Sequence, residues 1–414
     1  MATEVVPEPE QARLGLAGRF ALVLEHERIP FVSYPYEWTF SMLQDAAVLH
    51  LDLLLAALEA GAGMKDGYAF NVQWKGTRPV FIDLPSFEAG AGSGPWAGYR
   101  QFCQTFLYPL MLQAHKDVSF QPFLRGQVDG LTPAQMRNLL DGRDRYRRGV
   151  FRHVHLHRAI EQRFGKSSTR SVERELKDAG FGAELTRAVA RKLRTLVERL
   201  RWKRASSTWS DYQRTCTYTD ADREAKAAFV GRVTGSRRRD VVVDLGCNEG
   251  TYARLAADHA GLVVAVDADD LVVDHLYRAL RDQGVANVLP LVMNLLDPSP
   301  GLGWRGRERA SFADRVRPDL VMALALVHHL AVAGNVPLAE VVDWLRSFDA
   351  EVVVELVDRE DPMARRLLAN KPAGVHDDYG LETFERLLGG AFDVVDREQL
   401  PSGTRTIFHA VPRR

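Results

Sequence analysis

Cysteine is scarce in this sequence, and its three residues, Cys103, Cys216 and Cys247, lie far apart along a chain of 414 residues. Their spacing fits neither a disulfide framework nor the short ligand repeats of a zinc site. An odd, sparse set of thiols is typical of a protein kept in a reducing compartment. We therefore expect a cytoplasmic protein that holds no metal.

The sequence also lacks the marks of a membrane or exported protein. We find no apolar stretch of about 18 residues, the length that a spanning helix needs. Met1–Gln11 is acidic and contains proline, whereas a signal peptide begins with basic residues before an apolar run. Lys and Arg, 54 in all, balance 54 Asp and Glu. With a formal net charge of zero, no global field draws the chain to nucleic acid or to a membrane.

The patterns that are present divide the chain into four parts. Residues 1–17 are predicted to be a flexible tail, because termini without apolar periodicity are commonly mobile. The remaining parts are an N-terminal α+β domain over 18–131, a basic helical connector over 132–205 and an α/β domain over 206–414. We expect the N-terminal domain and the connector to cover the site of the α/β domain and to set its specificity.

The N-terminal domain carries one helix signal and one hairpin signal. Ser41–Ala60 is predicted to be a buried helix that ends at a glycine cluster. Tyr68–Gln73 and Pro79–Asp83 are predicted to be short strands joined through Lys75-Gly76.

Three polar residues of this hairpin region form a weaker motif. Asp66, Asn71 and Asp83 resemble the catalytic and metal-binding loops of the protein-kinase-like fold, where an Asp precedes an Asn by five positions. The glycine-rich loop and the nucleotide-binding lysine of that fold are not recognisable upstream, and Met64-Lys65 replaces its His-Arg pair. We interpret the motif as a remnant of that lobe with a role in substrate binding or assembly. An unrelated hairpin with turn acids is the alternative.

The helical connector is strongly basic. Residues 142–204 hold 19 Lys or Arg and 7 Asp or Glu, a net charge of +12. Aromatic residues that stack on bases are few there, and arginine stems commonly pack on apolar surface. The sequence thus favours solvated helix faces over a nucleic-acid partner, although an RNA-binding face stays open.

The fourth part alternates strand and helix signals. Alternating β and α units indicate a parallel sheet with helices on both faces. The last two strands are separated only by Pro401-Ser402-Gly403, a hairpin signal, so they should be antiparallel. We therefore predict a Rossmann-like α/β fold with five parallel strands and an antiparallel terminal hairpin. The predicted strands are Val241–Leu245, Val263–Asp267, Val288–Met293, Leu320–Ala325, Glu351–Leu356, Phe392–Glu398 and Thr406–Val411.

A tight turn follows the first of these strands. The segment Asp244-Leu-Gly246-Cys-Asn248-Glu-Gly250 leads from an apolar strand into a helix, whose unpaired N–H groups attract a ligand. Glycine permits positive φ and close backbone approach there. The dinucleotide fingerprint needs a third glycine and is not met. Asp244, at the strand end, suits a ligand with a cationic amino-acid part.

The next two strands end in polar groups suited to a nucleoside. Asp267 closes the second strand about 20 residues after the turn, where a carboxylate accepts hydrogen bonds from a ribose diol. Asn294 follows the third strand and offers a donor and an acceptor to an adenine edge.

Taken together, these motifs resemble class I methyltransferases over roughly the last 205 residues. Asn248 stands where many members have glycine, and Asn tolerates the left-handed conformation. The resemblance implies S-adenosyl-L-methionine as the cofactor. It implies a cofactor site formed by Asp244, Gly246, Cys247, Asn248, Gly250, Asp267, Ala268, Asn294 and Leu295.

A narrower resemblance adds a family. The turn, the segment from Asp297 to Trp304, and Val-His328-His329-Leu are similar to nodulation-protein-type methyltransferases, which carry a long N-terminal extension. The resemblance implies membership of that group and names no substrate.

Aromatic residues precede the first strand. Trp209, Tyr212 and Tyr218 lie in a segment that often closes over the cofactor in methyltransferases of this build. Their rings are predicted to stack there or to face the sulfonium in a cation–π contact. A hydrophobic seam between domains is the alternative.

Candidates for handling a proton follow the fourth and fifth strands. His328 and His329 lie where ligands of open α/β sheets bind, and an imidazole is suited to take a proton from a hydroxyl or amine. Glu355 ends the fifth strand and is predicted to orient or deprotonate the acceptor.

We therefore expect methyl transfer to the oxygen or nitrogen of a small molecule, without a nucleic-acid or membrane partner. An RNA methyltransferase that uses the basic connector is one alternative. A protein that binds the cofactor but acts as a cyclase or scaffold is another. The sequence leaves the oligomeric state open.

Overall fold

The computed structural model describes residues 1–90, 96–159, 182–204 and 218–414. The predicted tail and N-terminal domain contain short strands that pair in twos, β1 with β2, β3 with β6, and β4 with β5. These strands are β1 Thr3–Val5, β2 Leu24–His26, β3 Ala62–Met64, β4 Val72–Lys75, β5 Arg78–Phe81 and β6 Phe87–Ala89. Because β1 lies within 1–17 and pairs with β2 beyond it, the predicted tail boundary divides a small sheet.

Helices supply most of the remaining regular structure before residue 204. The longest, α2, begins after Thr39, whose side chain accepts a hydrogen bond from Met42 N and so caps the helix. A π-helical turn, Cys103–Leu107, joins α3 to α4, and a second lies at Phe151–Leu156. The helices are α1 Glu8–Arg13, α2 Phe40–Glu59, α3 Tyr99–Phe102, α4 Tyr108–Lys116, α5 Gln121–Gly126, α6 Pro133–Leu139 and α7 Ala183–Arg199.

The C-terminal part alternates strands and helices, as predicted. Val and Leu fill its parallel strands, as expected for a sheet covered on both faces. The strands are β7 Arg239–Leu245, β8 Ala260–Asp267, β9 Val288–Val292, β10 Leu320–Ala323, β11 Glu351–Val357, β12 Phe392–Gln399 and β13 Arg405–Pro412. The helices are α8 Asp220–Gly235, α9 Thr251–Ala257, α10 Asp270–Asp282, α11 Phe312–Arg315, α12 Leu338–Ser347, α13 Pro362–Leu368 and α14 Leu381–Ala391, with a π-helical turn at His329–Ala333.

These seven strands form one sheet in the order β12-β13-β11-β10-β7-β8-β9. The strands β7 to β11 are parallel, whereas β13 runs antiparallel to β11 and β12. The predicted α/β class, the five parallel strands and the terminal hairpin are therefore confirmed. The chain moves from β7 outward to β8 and β9, then returns to the other side of β7 for β10. This reversal places a topological switch point between β7 and β10.

The two faces of the sheet bury different cores. Along β7, Val243 and Leu245 pack into a core that also contains Leu51 of α2 and Leu193 of α7. Val242 points to the opposite face, where Phe229 of α8 packs. The alternation of side chains along a strand thus divides the sheet. The N-terminal part covers one face, so its hydrophobic core is continuous with that of the sheet.

The contact between the N-terminal part and the sheet domain is centred on α10. Ser41 N–H and Oγ donate to the two Asp274 carboxylate oxygens at 2.7 and 3.1 Å, and Tyr277 OH donates to Asp45 at 2.7 Å. A buried ion pair joins Glu37 to Arg315. The N-terminal part is therefore attached through specific buried polar contacts as well as apolar packing.

One helix contradicts the prediction that the chain has no segment long and apolar enough to cross a membrane. Among the described residues, α2 passes that test by length and composition. However, 56% of its apolar window is buried within the fold, against α7 and α10. Its carboxylates Asp45 and Asp52 pair with Arg281 and Arg194. These contacts are those of a core helix.

Candidate functional site

A cavity of about 820 Å³ opens at the carboxyl ends of β7, β8 and β10, beside the switch point. This volume is within the usual range for a small-molecule or cofactor site. Most of the predicted cofactor residues line it, namely Asp244, Gly246, Cys247, Asn248, Asp267, Ala268, Asn294, Leu295 and Tyr218. Trp209 and Tyr212 lie outside the described residues. The fold therefore brings together the predicted groups that lie at or after the ends of β7, β8 and β9.

The turn after β7 is shaped by three residues with positive φ. Gly246, Asn248 and Gly250 have φ values of 76°, 46° and 77°. Asn248 adopts the left-handed region that Asn tolerates better than most side chains, so it replaces glycine without disrupting the turn. Gly250 does not line the cavity. A Cβ at this position would lie 2.6 Å from Leu276 Cδ1, so Gly250 shapes the turn, and its contact with the cofactor stays a prediction.

We expect Gly250→Ala to lower the free energy of unfolding by about 1–3 kcal/mol, the usual range for a residue forced into a sparsely populated backbone region. Both the positive φ and the contact with Leu276 oppose the new methyl group. Gly389→Ala is the matched control, because it lies in α14 with open space around its Cβ position. Since alanine favours a helix over glycine, this control should be neutral or stabilising in urea denaturation. Equal losses in both variants would contradict the steric role of Gly250.

Asp267 connects the turn to the end of β8. Its Oδ2 accepts from Asn248 N–H and its Oδ1 from Asp269 N–H, both at 3.0 Å. Burial raises the pKa of Asp267, and these backbone donors oppose that shift. The carboxylate also lines the cavity, so one side chain both fixes the turn and faces the ligand.

Asn294 is placed at the cavity but is already engaged. Its Oδ1 accepts from Leu296 N–H at 3.0 Å in a local turn. The amide nitrogen is then the group best suited to a ligand, as a donor. The sequence predicted that the Asn294 amide would offer adenine both a donor and an acceptor. Because its oxygen is engaged, we expect only the amide N–H group to bind adenine.

Asp244 is the most unusual group in the cavity wall. It is 2% exposed, and its Oδ2 accepts no hydrogen bond from any described residue. The pKa of Asp244 is raised to about 7, chiefly because the carboxyl is buried. The charge of Lys226 lowers this pKa, and the charge of Asp267 raises it further. A buried carboxylate oxygen without a donor is costly. The site is thus prepared for a ligand that brings a cationic donor.

Behind this wall lies a buried charged cluster, which we define as Lys226, Glu355 and Arg405 with Tyr218. Lys226 Nζ lies 2.6 Å from Glu355 Oε2 and donates to Tyr218 OH at 2.8 Å. Tyr218 OH donates to Glu355 Oε1 at 2.6 Å, and Arg405 NH1 lies 3.3 Å from the same oxygen. The guanidinium of Arg405 also stacks on the Tyr218 ring, 3.9 Å from its centroid.

This cluster corrects the role predicted for Glu355. Its side chain is fully buried, and the residue does not line the cavity. Burial alone would raise the pKa of Glu355, but Lys226 and Arg405 outweigh it and the pKa is lowered. The carboxylate is thus held by partners inside the protein. The prediction that it orients or deprotonates the acceptor is wrong for this buried position.

The two histidines after β10 have different surroundings. His328 is fully buried, does not line the cavity and makes no hydrogen bond within the described chain. Burial keeps the pKa of His328 well below its usual value. The proton-handling role predicted for His328 is therefore corrected, because its imidazole is an uncharged core group. His329 does line the cavity, and burial, with a contribution from Arg405, lowers its pKa to about 4.

The prediction missed several residues of the cavity wall. Lys226 and Tyr252 are close, with the ammonium 4.7 Å from the ring centroid. Tyr252 follows the glycine turn directly, so its position gave a usable signal. The apolar residues Leu296, Leu324, Leu326, Leu330 and Ala333 gave none beyond ordinary core patterning.

The kinase-like motif forms a local contact away from this cavity. Asn71 Nδ2 donates to Asp83 Oδ2 at 2.9 Å, and Asp66 raises the pKa of Asp83 after the larger effect of burial. No group of three or more His, Cys, Asp or Glu suited to a metal is found among residues 1–90, 96–159, 182–204 and 218–414. Every cavity-lining residue in those ranges comes from 218–333, and the covering of the site by the N-terminal part and the connector stays a prediction.

Comparison with known proteins identifies a relative that spans nearly the whole chain. The chain is 34% identical over 399 residues to nodulation protein NoeA of Rhizobium meliloti (strain 1021), which covers 94% of this chain and 82% of that protein. No protein-family profile matches the chain.

Two similar solved structures each cover about half of the chain. N-methyltransferase NodS from Bradyrhizobium japonicum WM9, in complex with S-adenosyl-L-homocysteine, is 13% identical with a TM-score of 0.37, over 50% of this chain and 100% of that one. Magnesium protoporphyrin IX methyltransferase from Synechocystis PCC 6803 is 13% identical with a TM-score of 0.33, over 49% and 93%.

The family assignment rests on the NoeA relationship, and the fold on the strand order of this chain. The chain belongs to the NoeA family of nodulation proteins, and its C-terminal part has the Rossmann-like seven-stranded α/β sheet that the sequence predicted.

Proposed function

We propose that this protein methylates an oxygen or nitrogen of a small-molecule acceptor, using S-adenosyl-L-methionine held in the cavity at the switch point. When bound, the cofactor supplies a methyl group activated by a sulfonium. The observation that carries the proposal is the buried Asp244 Oδ2, which has no hydrogen-bond donor among the described residues, in a side chain that lines the cavity together with Asp267.

The residues present fit the three parts of this cofactor. Asp244 would accept from the amino group, Asp267 from the ribose diol, and Asn294 would donate to the adenine. The ammonium of Lys226 carries three protons; one donates to Tyr218 OH at 2.8 Å, and a second is directed to the ion-pair partner Glu355 Oε2, 2.6 Å from Nζ. Its third proton would serve the carboxylate of the amino-acid part. Asp244 and Lys226 would thus recognise a zwitterion with paired charges.

His329 would orient the acceptor on the side of the cavity beyond β10. With a pKa of about 4, its imidazole is neutral at pH 7 and accepts a hydrogen bond. The residue thus holds the nucleophile in place, and the proton released on methylation passes by way of the imidazole to solvent. Positioning of this kind accounts for much of the rate in a group transfer.

The part of the chain that the structure describes offers no specific observation in favour of an RNA acceptor. Both cationic residues that line the described cavity have carboxylate partners, Arg223 with Asp220 and Lys226 with Glu355. Arg194 and Arg187 of the basic connector also have carboxylate partners, Arg194 with Asp52 and Glu198 and Arg187 with Glu184. We also propose a cytoplasmic location, in keeping with the free thiols of Cys103 and Cys247.

A turnover assay tests the proposed function. The protein is incubated with S-adenosylmethionine and either a small-metabolite fraction or total RNA, and S-adenosylhomocysteine is measured by mass spectrometry. We expect product with the small-metabolite fraction and none with Asp267→Ala. Turnover on RNA alone would contradict the proposal, and loss of the cofactor without an acceptor would indicate the cyclase alternative.

Affinity for the cofactor should depend on pH because of Asp244. Its pKa of about 7 means that the carboxyl is increasingly protonated below pH 7, and an ammonium must then displace that proton. Binding of S-adenosylhomocysteine should tighten about ten-fold per pH unit up to pH 7, since one proton is released, and level off above it. Calorimetry from pH 5.5 to about pH 7.5 stays below the usual α-amino pKa of about 8.

Asp244→Asn is the control for this measurement. It keeps the shape of the side chain and cannot titrate, so its weaker binding should change little with pH. An unchanged slope in Asp244→Asn would assign the pH dependence to another group and contradict this role of Asp244.

A further inference from the structure

The part of the cavity beyond β10 has a different chemistry from the part that would hold the cofactor. The charged residues of the described wall come from α8, the glycine turn and the end of β8. The wall from residue 324 to residue 333 contributes Leu324, Ala325, Leu326, Leu330 and Ala333, and its one polar side chain in contact with the cavity is His329. This segment leaves the sheet abruptly, since Ala325 has φ 52°.

This apolar wall is continuous from the glycine turn to the cavity mouth. At its inner end, Leu326 Cδ1 lies 3.4 Å from the Cβ position of Gly246. At its outer end, Leu296 Cδ2 lies 2.4 Å from the Cβ position of Gly334. Only a glycine allows the loop that carries Leu296 to approach the π-helical turn so closely. Leu296 is nevertheless 49% exposed, so an apolar side chain forms the rim.

The lack of cationic side chains in this part of the described wall disfavours a strongly polar ligand. Among the described residues that line the cavity, no Lys or Arg lies on this side. Lys371, which is not a lining residue, donates to Ala333 O at 3.3 Å and to Asn335 Oδ1 at 2.8 Å. A phosphate or carboxylate inside the cavity would therefore lose its hydration without a cationic partner in the wall. A polyol would leave most of its hydroxyls unpaired for the same reason. A molecule with an apolar body and one nucleophilic group would satisfy both the wall and His329.

We propose that the methyl acceptor is an uncharged molecule whose hydroxyl or amine is carried on an apolar body, which packs on Leu296, Leu326, Leu330 and Ala333 while His329 accepts from the nucleophile. This inference rests on the proposed function. The acceptor's lone pair forms a bond to the methyl carbon as the carbon–sulfur bond breaks. The electron pair of that bond stays on sulfur, and the acceptor's proton passes by way of the imidazole to water.

Binding of 2-naphthol to the protein saturated with S-adenosylhomocysteine tests this inference, with naphthol fluorescence as the readout. We expect saturable binding of 2-naphthol, and at least about ten-fold weaker binding of 2-naphthoate and of N-acetylglucosamine, which compete for the same site. A ten-fold difference corresponds to the loss of one well-packed or well-paired group. Tighter binding of N-acetylglucosamine than of 2-naphthol would overturn the inference.

Leu296→Asp and Ala333→Asp place a carboxylate on the wall at exposed positions, where folding tolerates it. Each should weaken 2-naphthol binding at least about ten-fold, because the carboxylate must be desolvated against the ligand. The dissociation constant for S-adenosylhomocysteine should stay within about two-fold of the wild-type value, well inside that ten-fold scale. Leu185→Asp, on the partly exposed face of α7, is the matched control and should change neither affinity.

The two levels of the argument fail differently in this experiment. Unchanged 2-naphthol binding in both wall variants would overturn the assignment of the acceptor side. Wild-type protein that binds S-adenosylhomocysteine but not 2-naphthol would overturn the inference and leave the proposed function standing. Protein that does not bind S-adenosylhomocysteine would overturn the proposed function, and the inference with it.

Discussion

Lys226→Met should lower the free energy of unfolding by about 3 kcal/mol, within the range expected when one partner of a buried ion pair is removed. Both side chains of the pair are almost fully buried, 4% exposed for Lys226 and 0% for Glu355. The variant leaves the Glu355 carboxylate with Arg405 and Tyr218 as partners. These remaining contacts place the expected loss at the lower end of the range.

Two further variants separate this cause from a general packing defect. Lys226→Met combined with Glu355→Gln removes the carboxylate charge that has lost its lysine partner, so it should recover part of the lost stability. Arg232→Met, on the same helix, breaks exposed pairs with Asp396 and Glu398 and should cost no more than about 1 kcal/mol. Equal losses in Lys226→Met and Arg232→Met, measured in urea, would contradict the account of the buried cluster.

Asp267→Ala should weaken S-adenosylhomocysteine binding by at least about 100-fold, as expected when two hydrogen bonds to a charged group are lost. The substitution removes the acceptor predicted for the ribose diol. It also releases the backbone N–H groups of Asn248 and Asp269, which donate to the carboxylate in the wild-type protein. The ligand therefore loses both a direct partner and the fixed shape of the turn.

The effect of Asp267 can be divided with a conservative variant. Asp267→Asn keeps one oxygen to accept from a backbone N–H, so it should retain part of the affinity. Asp258→Ala, an exposed carboxylate after α9, is the matched control and should bind like the wild type. Calorimetric affinities of Asp267→Ala and Asp258→Ala within two-fold of each other would rule out the role assigned to Asp267, since about 100-fold is expected.

The sheet could be predicted because its strands carry local signals. Each predicted strand overlaps an observed one, and β10 is shorter than predicted because Ala325 leaves the extended conformation. The glycine turn was predictable for the same reason, since positive φ restricts the residue types that fit.

The role of Glu355 could not be predicted from its position on a strand. Alternation along β11 places Glu355 on the same face as Val353, and this much follows from the sequence. Its partners Lys226 and Arg405 are distant in the chain and meet it only in the folded structure. Position at a strand end therefore does not tell whether a carboxylate faces the ligand or pairs with residues inside the protein.

The two histidines show a similar limit. His328 and His329 are adjacent, and the turn that follows is π-helical, so periodicity does not tell which ring faces the cavity. The docking of the N-terminal part on α10 was equally beyond prediction. It depends on contacts such as Ser41 with Asp274, between residues 233 positions apart.

Calorimetric titration of the wild-type protein with S-adenosylmethionine, S-adenosylhomocysteine, NAD and ATP tests the central claim most directly. We predict that the first two bind at one site per chain and that NAD and ATP do not compete, because neither offers the cationic amino-acid group that we propose as the partner of the buried Asp244 Oδ2. Binding of NAD or ATP without binding of either sulfur ligand would contradict the assignment of this cavity.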